Sequence, residues 1–190
     1  MAASSATVKG GDKAGKALAA LGKKIATGKY VKVGFLEGAT YPAAVHRPKQ
    51  GGLSVAQVAF WNEFGTVTSP PRPFFRQMIA AGIPEWPKMF AAALKASGYD
   101  TRQALTLMGI EMSAQLQESI RSGNFAALSP ITLMLRKMAD DDPGLVISGK
   151  TVGEAAQRVA RGESGAAGDR AQPLLDQQIM VEAVNYEVKA

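Results

Sequence analysis

The chain has 190 residues, 46% of them hydrophobic and 20% charged, enough apolar surface for one buried core and unlike the composition of a disordered polymer. Cysteine is absent, which excludes disulfides, thiolate metal sites and cysteine nucleophiles, and a lone histidine, His46, leaves transition-metal chemistry poorly supplied. The net charge of +6 belongs to one end: residues 1–50 hold nine Lys or Arg against two acids, whereas residues 51–190 hold thirteen against fourteen.

The opening MAASSATVKGGDKAGKALAALGKKIATG is rich in alanine and broken by lysines. It has neither the apolar run of a signal peptide nor an uninterrupted membrane span, so the expectation is a soluble chain, intracellular at synthesis, with no membrane association. From Lys13 to Ala26, Leu18, Leu21 and Ile25 fall at helical spacing with lysines on the other side, which predicts an amphipathic helix stopped by Gly28. This basic helix, residues 1–29, is set apart from a single domain at 30–190. Lys9, Lys13, Lys16, Lys23, Lys24 and Lys29 are candidates for weak, non-specific contact with DNA, of the kind that collapses with added salt. The spacing from Gly10 to Lys16 fits a phosphate-binding loop, but Ala17 stands where a magnesium-binding hydroxyl is needed and no strand precedes it.

In YVKVGFLEG, Val31, Val33 and Phe35 alternate with Lys32 and Gly34, the period of a half-buried strand. The Pro- and Gly-rich residues 39–52 predict an exposed loop carrying Arg47 and Lys49. Ser54 is placed to cap a helix through VAQVAFWNEF, closed by Gly65; Val55, Val58, Ala59 and Asn62 share a stripe, which leaves Trp61 and Phe64 to meet something else.

The stretch FWNEFGTVTSPPRPFFR packs five aromatic side chains, one carboxylate, two guanidinium groups and three prolines into seventeen residues, Phe60 to Arg76. Gly65 ends a helix, Pro70, Pro71 and Pro73 stiffen the return, and Arg72 is expected at the tip of a rigid hook. An arginine beside Trp61, Phe74 and Phe75 has the composition of an interface hot spot, although the same side chains can instead pack a monomer core. Glu63, the carboxylate that apolar neighbours could desolvate, has no second placed carboxylate for paired acid/base work, and pairing with Arg72 or Arg76 is the expectation. No G-x-S-x-G elbow supports a triad built on His46. The chain is therefore expected to be non-enzymatic, without cofactor or metal.

Phe74 and Phe75 begin a helical segment interrupted around Gly82 to Pro84 and resumed in EWPKMFAAALKA. The longest predicted helix, TRQALTLMGIEMSAQLQESIRSG, carries Leu105, Met108, Met112, Leu116 and Ile120 on one stripe. Ser129 with Pro130 marks a further helix start in LSPITLMLRKM. DDDPG reads as a solvated turn, TVGEAAQRVARG as a short helix and GESGAAGDRAQ as flexible, so residues 139–172 form a flexible excursion. Near the C-terminus Val184, Tyr186 and Val188 face one way in a strand able to pair with Val31–Leu36. The expected fold class is α+β: a small antiparallel sheet packed against a long central helix and several shorter helices.

VGFLEG, SVAQVAFWNEFGT, PPRPFFR, LSPITLMLRK and PLLDQQIMVEAVNYEV together resemble the tail-completion and neck proteins of tailed bacteriophages, the virion morphogenesis or HK97 gene-product-10-like family. The likeness runs from about Lys32 to Val188 and is strongest at Asn62–Thr66 and Pro71–Phe74. It implies a structural virion protein at the head–tail junction, assembled as a homo-oligomeric, commonly hexameric ring that joins the tail to the connector. Its partners would be the adjacent connector and the tail tube or terminator proteins, and it would pass through the host cytoplasm during assembly. Trp61, Glu63, Phe64, Arg72, Phe74, Phe75 and Arg76 then form a candidate subunit interface or structural hook, with Arg47 and Lys49 as candidate channel or partner contacts. A tail terminator capping the tail tube, or a DNA-binding accessory protein using the basic helix, are the alternatives.

Overall fold

The structure, a computed structural model, describes residues 11–25, 28–35, 37–43, 51–175 and 178–189. Its framework is α+β, a small two-stranded antiparallel sheet with several helices, one of them long. Strand β1 (Tyr30–Phe35) pairs with β2 (Val184–Lys189) in a register that sets Val31 opposite Val188, Val33 opposite Tyr186 and Phe35 opposite Val184. These apolar pairs lie on one face because side chains alternate along a strand, and the lysines and Glu187 take the other. Chain ends far apart in sequence are thus joined, as the alternation at each end predicts.

The long helix α5 (Thr101–Ser122) packs against both strands. Asp100 caps it, accepting hydrogen bonds from the N–H groups of Arg102 and Gln103. Helix and sheet approach closely at Gly109, where an added Cβ would stand 2.4 Å from a Tyr186 ring carbon and 3.0 Å from a Val31 methyl. Neither atom is the free end of a flexible chain, so Gly109→Ala is expected to destabilise by about 2 kcal/mol through overpacking, read as a lower urea midpoint at constant m-value. A neutral result would show that the sheet can lift from the helix without loss.

Before α5 the chain forms α1 (Gly11–Ile25), α2 (Val55–Phe64), α3 (Phe74–Gly82) and α4 (Trp86–Ala96). The bend between α3 and α4 falls at buried Gly82, where the Trp86 ring occupies the space a side chain would need. Ser54 holds the N-cap position of α2 without a side-chain cap bond, its backbone instead bridging to Thr40. The base of the 39–52 loop is zipped by Tyr41 N–H to Leu53 O, Gly52 N–H to Tyr41 O and Val55 N–H to Ala39 O. The main core joins Val55, Phe74, Leu116, Ile120 and Val181.

The 139–172 excursion contains a helix where TVGEAAQRVARG predicts one. Helix α6 (Pro130–Asp141) packs against α7 (Gly149–Ala160) around a second small core of Met134, Met138 and Ala155. The GESGAAGDRA stretch that follows returns to α6 because its small residues permit close approach. Ala166 N–H donates to Leu133 O, and Gly165 lies so near the Leu133 backbone that a Cβ would come within 2.5 Å. A 3-10 turn at Gly168–Ala171 is then held by buried Arg136, whose Nη1 donates to the carbonyls of Arg170 and Gln172. The short α8 (Ile179–Glu182) leads into β2.

Candidate functional site

The hook spans the end of α2 to the start of α3, and one carboxylate fixes it. Residues Val55, Ala59 and Glu63 recur every fourth position, so the buried stripe of α2 ends in a glutamate. Helix α3 begins with Pro73 at its N-cap, which offers no side-chain acceptor for the first turn. Glu63 supplies it from a distance: Oε2 accepts from the Phe75 N–H at 2.9 Å and Oε1 from the Arg76 N–H at 3.2 Å. Oε1 also takes the Arg76 Nε at 2.8 Å, and Arg76 Nη2 donates to the Glu63 carbonyl at 2.9 Å. Both oxygens are committed to ending one helix and starting the next, with negative charge set at a helix N-terminus where it is favoured. Arginine 76, not Arg72, is the ion-pair partner.

Between the helices the chain turns tightly at Gly65, whose φ of 78° suits glycine and whose missing Cβ leaves room for Pro71 N and Ser69 O. Thr66 and Ser69 bridge, and Thr66 Oγ1 accepts from the N–H groups of Thr68 and Ser69. The tip is Val67, wholly exposed. Arg72 does not protrude: its N–H donates to Asn62 O at 2.7 Å, which folds it back, and the side chain is only 8% exposed. Its Nη1 donates to Asn62 Oδ1 at 3.3 Å. Burial lowers the pKa of its guanidinium from the ordinary value, which still leaves an arginine charged.

The aromatic side chains separate into two sets. Phe74 is core, 1% exposed, packed edge-on to Phe35 and Phe75, and its carbonyl accepts from Ser119 Oγ. Phe75 is half-buried against Gly34. Phe60, Trp61 and Phe64 face outward, 59%, 38% and 56% exposed. The Phe60 and Phe64 rings lie 4.7 Å apart and Arg76 sits over Phe64 at 5.1 Å. Phe60, Phe64 and Arg76, together with Phe35, Phe74, Phe75 and Ile79, line an apolar groove of about 370 Å³. Phe60 and Val67 were not singled out from sequence; the i, i+4 spacing of Phe60 and Phe64 is the signal that marks the first of them.

Other sequence candidates lie apart from this surface. Lys13, Lys16 and Lys23 are exposed on α1, and Lys24 belongs to the same helix. Leu18 on that helix is 68% exposed and Leu21 is half-buried. Lys29 is half-buried in a small cleft with Arg102 and Lys189. Lys9, Arg47 and Lys49 fall outside the described residues. Among the described residues no group of His, Cys, Asp or Glu is arranged to hold a metal ion, and no helix is long and apolar enough to cross a membrane.

A second cleft, of about 460 Å³, opens on a different face of α2, which contributes Val58 and Asn62. Arg72 and Arg136 line it together with Thr132 in the first turn of α6. Arg136 was not marked in the sequence, because its partners are carbonyls thirty-four to thirty-seven residues away. No protein-family model, no curated protein and no solved structure matches the chain.

Proposed function

We propose that this chain is a non-enzymatic structural subunit that assembles with copies of itself, in the role of a tail-completion or neck protein at the head–tail junction of a tailed bacteriophage. The observation that carries the assembly reading is the outward set Phe60, Trp61 and Phe64 on a hook whose shape Glu63 fixes. Exposed aromatic surface of this kind, held rigid before binding, is what interfaces use and what a solitary monomer has reason to avoid. The place in the virion is supported by the ordered signature Asn62–Thr66 followed by Pro71–Phe74. A ring formed head to tail needs a stiff protrusion on one side of each subunit and a receiving surface on the other. The basic α1 would favour weak proximity to DNA passing through such a ring.

The double variant Phe60→Ser with Phe64→Ser should remain folded and lose self-association, read by sedimentation and negative-stain imaging in the presence of the neighbouring neck proteins. Rings of normal yield from that variant would end the assembly reading. Particles from a phage lacking this protein separate the roles within the virion: full heads and finished tails that fail to join indicate tail completion, whereas overlong or unstable tails indicate a terminator.

A further inference from the structure

The second cleft holds the buried charge of Arg72. Among the described residues Arg72 makes no ion pair, its buried Nε has no hydrogen-bond partner, and the one acceptor on its guanidinium is the neutral Asn62 side chain. Leaving such a donor unmet is expensive unless something else supplies the acceptor. The start of α6, with Thr132 and the capping Ser129, lines the same cleft and turns the positive end of the helix dipole toward it. The rest of the lining is mixed: Thr68, Ser69, Gln178 and the second guanidinium, Arg136, alternate with Val58, Leu128, Leu174, Ile179 and Met180.

We propose that this cleft binds a carboxylate carried on an apolar body, presented by a peptide segment of another protein. A carboxylate matches a guanidinium fork in shape and charge, and the apolar part of the lining suits the side chain beside it. Inorganic phosphate would meet the same guanidinium but brings no apolar group for that part of the lining. The inference goes beyond ring assembly and does not depend on it, since the cleft and the aromatic groove take different faces of α2.

The test is an NMR titration of the full chain with N-acetyl-leucine, with N-acetyl-glutamate α-amide, with N-acetyl-leucine amide and with inorganic phosphate. Saturable shifts of the Arg72 Nε–H and of the Thr132 and Gln178 amides are expected with the two carboxylates and not with the neutral amide. The first probe reports a chain terminus and the second an acidic side chain. Equal response to N-acetyl-leucine and its amide, response to phosphate alone, or no saturable response would each overturn the proposal. Arg72→Gln should weaken carboxylate binding about ten-fold or more, the equivalent of one charge-assisted contact. Because Arg72 also holds Asn62, Thr132→Glu provides a second variant. It sets a negative charge at the first turn of α6, where the helix tolerates an acid and stays folded, and that charge in the cleft lining repels a carboxylate ligand and should reduce binding by a similar factor. Unchanged affinity in that variant would also count against the site.

Discussion

Glu63→Ala is expected to lower stability by about 3 kcal/mol, and Glu63→Gln by about half as much. The surface ion pair contributes little of this, because the Arg76 side chain is 58% exposed and such pairs are screened by water. The larger part comes from the N–H groups of Phe75 and Arg76, which open a helix whose N-cap is Pro73 and have no other described acceptor to replace the carboxylate. Glutamine retains one acceptor oxygen and forfeits the charge, so it should fall between. Urea unfolding measures the total, and hydrogen exchange at the Phe75 and Arg76 amides locates it. An alanine variant within about 1 kcal/mol of the parent, with protection at those amides intact, would mean that the hook keeps its shape without the carboxylate.

Local pattern made much of this framework legible, and tertiary pairing supplied what pattern could not. The strands at Tyr30–Phe35 and Val184–Lys189 were readable because each alternates on its own and together they expose matching apolar faces. Helix α5 was readable from its stripe, although Gly109, the point of closest approach to the sheet, breaks no pattern and gives no signal. Residues 163–172 look flexible in composition for the same reason that they pack: glycine and alanine carry no side chain to hold the backbone away from α6. Composition reports small residues and cannot report the surface they meet. The placement of Arg72 failed differently. Flanking prolines suggested a protruding tip, but a single backbone bond to Asn62 turns the residue inward and leaves Val67 at the apex. Glu63 was legible as an anchor and the helix start at Phe74 was legible too, but only the folded turn shows that the carboxylate reaches back onto that start.

These distinctions matter most for the aromatic side chains, which sequence composition groups together and burial divides. Phe74→Ala should cost about 4 kcal/mol, the range for removing a large ring from a closed core. Its ring is 1% exposed and packs on Phe35, and the backbone at the same residue is tied to α5 through Ser119. Phe64→Ala, by contrast, removes a ring that is 56% exposed and touches Phe60 and Arg76 at the surface, so the loss of stability should stay below about 1 kcal/mol. Self-association should respond in the opposite sense: lost with Phe64→Ala at a temperature where the variant is fully folded, and kept with Phe74→Ala under conditions that preserve its fold. Thermal unfolding and sedimentation on the same two samples read both quantities. If Phe74→Ala melted with the parent while failing to associate, Phe74 would belong to the contact surface and the division between core and outward-facing rings drawn from burial would be wrong.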